Sequence, residues 1–389
     1  MSNTFKFNGS GNLPKEGAWR ALERLDLSIL DDPSLYQVFD PALVQAVNTA
    51  LLLGMPLLLT GEPGVGKTTL AWRLAAELGL GEPLEYRVKS TTEGPDLLYE
   101  IDHLRRMTDA NINNEDAREL KHYVRFNALG QAILRTWKKQ HLERYGFLGQ
   151  VTVNGELPQL PIPTVVLIYE IDKAPSDVPN DLLEELRTLS FKVPNLLASN
   201  AELSLGGPSD IKKNSEDVAS NRPIVLITSN SERALPQAFL RRCVYYHMTL
   251  PEKPESAADG QESHNHSDND SHQKYKQFRQ SIDKRVDRLL EARVLSSDTA
   301  NKSDAVGVQA VRDQAWEYYH ELRSASLQRK PSTGELLSWL CAVHDPSLGL
   351  VMSDKPAWVT LALQLLVKQR DDGDSARRAL GSMDSSVLV

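Results

Sequence analysis

Residues 61–68 read GEPGVGKT and fit the pattern G-x-x-x-x-G-K-[ST] at each of its four fixed positions. The apolar run 55–60 leads into them with the length of a buried strand, and residues 69–78 follow with apolar side chains at helical spacing. A strand that enters a glycine-rich turn before a helix leaves several backbone N–H groups directed at an anion. The stretch therefore predicts a loop that binds the phosphate tail of a nucleotide. The residues assigned to it are Gly61, Glu62, Pro63, Gly64, Val65, Gly66, Lys67, Thr68 and Thr69.

The residues of this loop have different roles in binding a nucleotide. Glycines are needed because a Cβ would block the close approach of the phosphates and the positive φ angles of the turn. We expect Lys67 to reach the β- and γ-phosphates and the hydroxyl of Thr68 to bind Mg²⁺. The loop thus predicts ATP and Mg²⁺ as ligands.

Two further apolar runs end in polar residues of catalytic type. Residues 164–168 are apolar after Thr164 and are followed by Tyr169 and Glu170, and residues 224–228 are followed by Ser229 and Asn230. Strands that alternate with helical patterns indicate an α/β fold with a doubly wound parallel sheet, whose ligands lie at the carboxyl ends of the strands. Thr60, Glu170 and Asn230 all occupy such ends.

The chain order indicates four parts. Residues 1–40 mix glycine, proline and charge as an N-terminal arm, and residues 41–251 carry the α/β domain, with a helix that should stop at Gly54 and a helical insertion at about 91–149. Residues 252–275 read as a disordered polar linker, and 276–389 as a smaller all-helical domain. The linker contains three histidines that could be metal ligands, but a solvated linker is favoured because their spacing is irregular. They are His264, His266 and His272.

Composition narrows the classes of function. The 389 residues carry 44 basic and 52 acidic side chains, and the net charge of −8 argues against a general electrostatic grip on nucleic acid or an anionic membrane. The two cysteines, Cys243 and Cys341, stand inside apolar patterns and predict buried free thiols in a reducing compartment. With no signal-peptide pattern and no apolar run long enough to span a bilayer, we expect a soluble cytoplasmic protein.

With these motifs in this order, the chain resembles the AAA+ ATPases and, more narrowly, their MoxR type. The resemblance covers residues 36–251 well and the helical region loosely. It rests on residues 44–51 before the loop, on 170–175 (EIDKAP) and on 235–242 (LPQAFLRR). It implies a P-loop AAA+ module followed by a helical lid domain, and a ring, usually a homo-hexamer, with ATP between subunits. It also implies remodelling or chaperone-like activation of a protein, often with a von Willebrand factor A partner.

The resemblance also assigns roles at the carboxyl ends of the strands. Glu170 stands where these proteins carry the glutamate that activates water, and Asn230 matches the sensor 1 residue, although an ordinary acidic residue and a turn-forming asparagine are the alternatives. Arg241 and Arg242 match an arginine finger that reaches the ATP of a neighbouring subunit. Arg242 is favoured over Arg241, and two surface arginines are the alternative.

One position departs from the pattern. The residue before the glutamate is normally the aspartate that binds Mg²⁺, and here it is Tyr169, whose phenol is a poor ligand for a hard cation at neutral pH. Asp172 could replace it only if the end of the strand bends. The sequence therefore predicts nucleotide binding with slow turnover.

Two other functions compete with an ATP-driven remodelling enzyme. Tyr169 makes a nucleotide-dependent switch or scaffold with little catalysis credible, whereas the acidic balance counts against a nucleic-acid motor. The second sensor is not identified: Arg329 or Lys330 could contact phosphate, but a solvated pair is favoured. Ser332 or Thr333 should cap the helix that follows.

Overall fold

A computed structural model of the chain describes residues 32–112, 114, 117, 119–152, 156–157, 159–194, 196, 203–205, 221–230, 233–254, 266–296, 305–345 and 350–381. The chain divides into two compact units. One comprises Tyr36–Lys274, and the other comprises Met1–Leu35 together with Tyr275–Val389. Most of the predicted N-terminal arm, residues 1–31, lies outside the described residues.

Within the described residues, all strands lie in the unit Tyr36–Lys274. In chain order they are β1 (Leu57–Gly61), β2 (Leu84–Arg87), β3 (Tyr99–Ile101), β4 (Val124–Phe126), β5 (Val165–Tyr169), β6 (Phe191–Val193), β7 (Leu203–Leu205), β8 (Ile224–Ser229) and β9 (Val244–Met248). The α-helices described wholly within this unit are α1 (Pro41–Leu53), α2 (Lys67–Glu77), α3 (His103–Asn111), α4 (Ala128–Arg135), α5 (Lys139–Tyr145), α6 (Val178–Thr188) and α7 (Gln237–Leu240).

The central sheet has the strand order β2-β5-β8-β1-β9, and its pairings are parallel. Strand β1 is buried at every residue, and β5 is buried at all but Tyr169, because helices cover both faces of a parallel sheet. The order places β1 between β8 and β9, so that the carboxyl ends of β5, β8 and β1 are neighbours. The predicted α/β fold with a doubly wound parallel sheet is confirmed.

Helix α1 precedes the first strand, and both of its ends are capped. Asp40 caps the helix by accepting a hydrogen bond from the Ala42 N–H, and Pro41 occupies the first turn, where its missing N–H costs nothing. The helix ends at Gly54, whose φ of 61° lies in the left-handed region. The predicted helix stop at Gly54 is confirmed.

The predicted helical insertion at 91–149 is partly wrong, because it also contains a small antiparallel sheet. Strands β3 and β4 pair from Tyr99 against Phe126 to Ile101 against Val124. Their apolar residues face one side, where Phe126 meets Phe147 edge to face at 4.9 Å between ring centroids. A strand of three residues is too short to show the alternation of apolar and polar side chains in the sequence. The charged helical segments around β3 and β4 therefore determined the prediction.

The predicted linker at 252–275 is also partly wrong. Residues 255–265 lie outside the described part of the chain, but residues 266–275 form the start of helix α8 (His266–Ser296). An ion pair of 3.1 Å between Lys274 and Asp270 stabilises this polar stretch as helix. Within the described residues no group of three or more His, Cys, Asp or Glu side chains is arranged to hold a metal. His264 lies outside those residues.

The second unit has a helical core built on aromatic side chains. After α8 come α9 (Ala305–Ser324), α10 (Thr333–Val343), α11 (Lys355–Leu366) and α12 (Gly373–Gly381). Trp316, Trp339 and Trp358 are almost fully buried, and Trp339 meets Trp358 edge to face at 5.6 Å. Ser332 caps α10 in a reciprocal capping box with Glu335, which confirms one of the two predicted caps.

Both cysteines are buried free thiols, as predicted. Burial raises the pKa of the Cys243 thiol to about 12. It also raises the pKa of the Cys341 thiol to about 11, although the charge of Arg312 opposes this shift. Both thiols therefore stay protonated and unreactive. Among the described helices, none is long and apolar enough to cross a membrane.

His344 should make the stability of the helical unit depend on pH. Burial lowers the pKa of this histidine and Arg312 lowers it further, while the Leu340 carbonyl, 2.7 Å from Nδ1, opposes the shift. The unfolded chain takes up the proton near pH 6.5 and the folded chain only at lower pH, so stability should fall as the pH drops below about 6.5. We expect a His344→Gln variant to lose less stability than the wild type between pH 7 and pH 5.

Urea unfolding followed by tryptophan fluorescence measures this difference, since three of the six tryptophans report on the helical unit. Equal losses of stability in the two proteins would contradict the assignment to His344.

Candidate active site

The loop after β1 has the backbone that its glycines predict. Gly61, Gly64 and Gly66 have φ angles of 138°, 83° and 97°. A Cβ at Gly61 would lie 2.2 Å from the carbonyl oxygen of Met248 on β9, and one at Gly66 would lie 2.9 Å from the Tyr36 hydroxyl. The loop therefore lies close against the edge strand β9, and only glycine fits at position 61, where the two backbones cross most closely.

Lys67 is the buried cation of the loop. It begins α2 and its residue is only 7% exposed. Its Nζ donates to the carbonyl oxygens of Gly61 at 2.6 Å and Glu62 at 3.1 Å and to Oδ1 of Asn230 at 2.9 Å. The ammonium group is therefore held at the mouth of its own loop by neutral acceptors.

The electrostatics around Lys67 show which carboxylates face the loop. Burial lowers the pKa of Lys67, and the charges of Asp172, Glu170 and Glu62 oppose that shift in this order. Asp172 is only 2% exposed and therefore belongs to the interior of the site. The chain therefore turns after β5, and Asp172 is buried in that turn where its charge acts on Lys67.

Glu170 is held in an unusual backbone conformation. Its φ of 55° is left-handed, which is uncommon for a residue with a Cβ. Its N–H donates to Oγ1 of Thr228 at 3.0 Å, and its carbonyl accepts from the N–H of Lys173 at 2.9 Å in the short turn Ile171–Lys173. This turn bends the chain at the end of β5 and carries Asp172 inward.

The carboxylate of Glu170 accepts one hydrogen bond at each oxygen. Nδ2 of Asn230 donates to Oε1 at 3.0 Å, and Nζ of Lys173 donates to Oε2 at 2.6 Å. Because Asn230 also accepts from Lys67, three of the predicted site residues form one chain of contacts, Lys67 to Asn230 to Glu170. Such a polar chain can pass a change at the phosphate loop to the carboxylate.

Two residues of this site received no role from the sequence. Lys173 stood in the motif that follows Glu170, and its three-residue spacing was the available signal for a contact. Thr228 is separated from Glu170 by 58 positions, and only the parallel pairing of β5 with β8 shows that they meet.

Tyr169 faces the sheet edge that β2 forms. The guanidinium of Arg87 lies 4.9 Å from the centre of its ring, and burial together with a hydrogen bond and charge from Glu85 raises the pKa of its phenol. The phenol therefore stays protonated and neutral, whereas a ligand for Mg²⁺ should offer an anionic oxygen. Of the two residues assigned to Mg²⁺, Thr68 is half-buried in the first turn of α2, and Asp172 is near Lys67.

Arg241 and Arg242 lie away from the phosphate loop of the same chain. They are exposed and follow α7 just before β9, whose first residue pairs with Leu57 and whose last pairs with Gly61. The length of the strand, about 13 Å at 3.3 Å per residue, separates the arginine pair from the loop. Within one chain the structure therefore does not bring them to the phosphates.

The candidates for a second sensor make local contacts in the helical unit. Arg329 pairs with Glu335 at 3.4 Å and is about half exposed, and its backbone N–H donates to Asp372 at 3.1 Å. Lys330 is exposed. This agrees with the solvated pair that the sequence favoured.

The crossing at Gly61 generates a test of the loop. Gly61→Ala should destabilise the protein more than Gly79→Ala, because both positions have positive φ but nothing lies within 4 Å of a Cβ at Gly79. We expect a cost of about 1 kcal/mol for Gly79→Ala, from its left-handed backbone, and of about 3 kcal/mol for Gly61→Ala, where a clash is added. Urea denaturation of both variants measures the difference, and equal costs would show that the crossing is not tight.

Comparisons with known proteins place the loop in a family context. A search of curated proteins finds no match. Solved structures match with low identity: a protein of Cytophaga hutchinsonii ATCC 33406 described as a candidate ATPase has 14% identity, covers 93% of this chain and 92% of its own, and gives a TM-score of 0.32. Hsp104 with ATPγS and FITC-casein has 17% identity, 76% and 43% coverage and a TM-score of 0.34. PCH-2 of C. elegans has 13% identity, covers 82% of this chain and 70% of its own, and gives a TM-score of 0.28.

All three TM-scores lie below 0.5. The family comparison is more specific, because the model of the AAA domain (dynein-related subfamily) matches residues 56–243. That range begins just before β1 and ends just before β9, and it contains the phosphate loop, Glu170 and Asn230. Residues 56–243 thus match the model of that AAA domain, and their fold is the α/β P-loop fold of the AAA+ type.

Proposed function

We propose that this chain is an AAA+ ATPase of the MoxR type that binds ATP with Mg²⁺ and couples its hydrolysis to the remodelling or activation of a partner protein. The observation that carries the ATPase proposal is the chain of contacts from Lys67 through Asn230 to Glu170. It joins the cation of the phosphate loop to a carboxylate across the ends of three neighbouring strands. An AAA domain match over the same residues supports it.

Binding of ATP would use groups that already face the loop. The backbone N–H groups of residues 61–69 and the ammonium of Lys67 offer donors and positive charge to the phosphates. Lys67 would exchange its bonds to the Gly61 and Glu62 carbonyls for bonds to phosphate oxygens. Mg²⁺, held through the Thr68 hydroxyl and the Asp172 carboxylate, would neutralise charge on the phosphate oxygens.

Hydrolysis would then depend on Glu170 and Asn230. Glu170 accepts a proton from a water molecule whose oxygen forms a bond to the γ-phosphorus, while the bond from that phosphorus to the β-phosphate oxygen breaks. Asn230 contacts both Lys67 and Glu170, so its amide lies where it can orient this water or the γ-phosphate. The contacts of Glu170 and Asn230 support the roles that the resemblance implies.

The ring assembly follows from the family type and from the position of the arginine pair. Because Arg241 and Arg242 are exposed at the far end of β9 from the loop, a role at ATP requires a neighbouring subunit. We propose a homo-hexamer in which Arg242 reaches the adjacent site, a von Willebrand factor A protein as partner, and a cytoplasmic location. The exposure of the pair supports the ring; the partner and location rest on family type.

Tyr169 supports a second candidate, a nucleotide-dependent switch that scarcely hydrolyses ATP. The neutral phenol engages Glu85 and Arg87 and supplies no anionic oxygen to Mg²⁺. In the ATPase reading Asp172 compensates for this loss in part, and turnover is slow. In the switch reading the compensation is too weak for turnover.

The main test measures ATP binding and turnover by the full chain, with and without DNA. We expect slow basal turnover, no stimulation by DNA, an ATP affinity lowered at least about ten-fold in Lys67→Ala, and a turnover number lowered about a hundred-fold in Glu170→Gln with binding retained. Binding without turnover would establish the switch, and stimulation by DNA would indicate a nucleic-acid motor. Unchanged ATP affinity in Lys67→Ala would overturn both leading readings.

A second test separates Asp172 from Tyr169 as the source of metal affinity. Asp172→Asn should abolish the increase in ATP affinity that Mg²⁺ produces, because it removes the buried anionic oxygen near Lys67. Tyr169→Phe, the matched control, should keep that increase within about two-fold, since the phenol is neutral. Tyr169→Asp should raise the turnover rate.

Calorimetric titration with ATP, with magnesium chloride or with EDTA, measures the first two effects. A Mg²⁺-dependent affinity of Asp172→Asn equal to that of the wild type would exclude Asp172 as a metal ligand.

A further inference from the structure

The two oxygens of Glu170 have donors from different parts of the fold. Oε1 accepts from Asn230, which follows β8 and is itself bonded to the loop lysine. Oε2 accepts from Lys173, which lies on the short turn after Glu170. Oε1 is therefore on the side of the phosphate loop, and Oε2 is held from within the segment that carries Glu170.

We propose that Lys173 is a positioning residue that fixes the carboxylate of Glu170 through Oε2 and leaves Oε1 to receive the proton from water. This role rests on the proposed ATPase function. It assigns to Lys173 a part in the reaction that neither the motif nor the family match gave it.

Hydrogen bonds fix the backbone of Glu170, but they do not by themselves fix the position of its side chain. The N–H is bonded to Thr228 and the carbonyl to the N–H of Lys173, so the left-handed conformation is fixed at both ends. The carboxylate has three side-chain torsions between it and this backbone. A second tether at the carboxylate itself is needed to hold it in one place, and the 2.6 Å contact with Lys173 supplies it.

The two donors should respond differently when a nucleotide binds. Lys67 leaves Asn230 to meet phosphate oxygens, so Asn230 loses the donor at its Oδ1 and its amide gains freedom to turn. Oε1 then becomes available to a water molecule. Lys173 follows Glu170 on the short turn Ile171–Lys173, so its contact with Oε2 does not involve the phosphate loop.

The pair is suited to a catalytic rather than a stabilising role. The side chains of Lys173 and Glu170 are 41% and 37% exposed, and an ion pair at that exposure contributes little to folding. Removal of the ammonium should therefore leave the fold and the phosphate loop in place. The expected loss lies in the rate of the chemical step.

Steady-state ATP hydrolysis by the full chain tests this role. Lys173→Met should lower kcat roughly ten-fold with KM for ATP within two-fold of the wild type, as loss of orientation without loss of binding predicts. Lys173→Arg should recover at least a third of the wild-type kcat, because a guanidinium can still donate to Oε2. Lys139→Met, which removes an exposed lysine paired with Glu143 at 3.8 Å on α5, should match the wild type.

A double-variant comparison shows whether Lys173 acts through Glu170. In a Glu170→Gln background, Lys173→Met should cause no further loss of kcat, whereas an unrelated structural effect would multiply the two losses. Multiplying losses, a raised KM, an unchanged kcat, or faster turnover in Lys173→Met would each overturn the positioning role. A wild type that binds ATP without turnover would instead refute the ATPase function itself, and the role of Lys173 with it.

Discussion

The contact between Gly61 and the carbonyl of Met248 is the constraint on which the site depends. It exists because β1 lies directly against β9 up to its last residue, where a Cβ would collide with the neighbouring backbone. The loop therefore leaves the sheet at one fixed point. Since β8 borders β1 on its other side, the same point fixes the distance from Lys67 to Asn230, and through Asn230 to Glu170.

The buried ammonium group of Lys67 is stabilised in its charged form by three carboxylates. Burial alone would favour the neutral amine, and the charges of Asp172, Glu170 and Glu62 oppose that tendency. The carbonyls of the loop and Asn230 take the place that phosphate oxygens would occupy around Lys67. Binding of an anion then exchanges one set of acceptors around Lys67 for another, and the ammonium group, which is already buried, does not have to leave water.

The sequence predicted the site where the evidence was local or followed from strand order. The loop, the stop at Gly54 and the strands before Glu170 and Asn230 were readable, because each carries a strong motif or an uninterrupted apolar run. The contact of Thr228 with Glu170 was not readable, since it depends on strand register. The contact of Tyr169 with Arg87 depends on the register of β5 against β2, and the inward turn of Asp172 follows the left-handed backbone at Glu170, which no residue type signals. Strands β3 and β4 were too short to show a period.

Strand β9 joins the two ends of the domain as a stiff spacer. At one end it carries the carbonyl that seats the phosphate loop, and just before its other end come the exposed arginines. Its hydrogen bonds to β1 along its whole length prevent the strand from stretching or sliding by less than a full register step. The phosphate loop and the exposed arginines are thus held at opposite ends of one hydrogen-bonded strand, which fixes the spacing between the nucleotide site and the surface that carries the arginines.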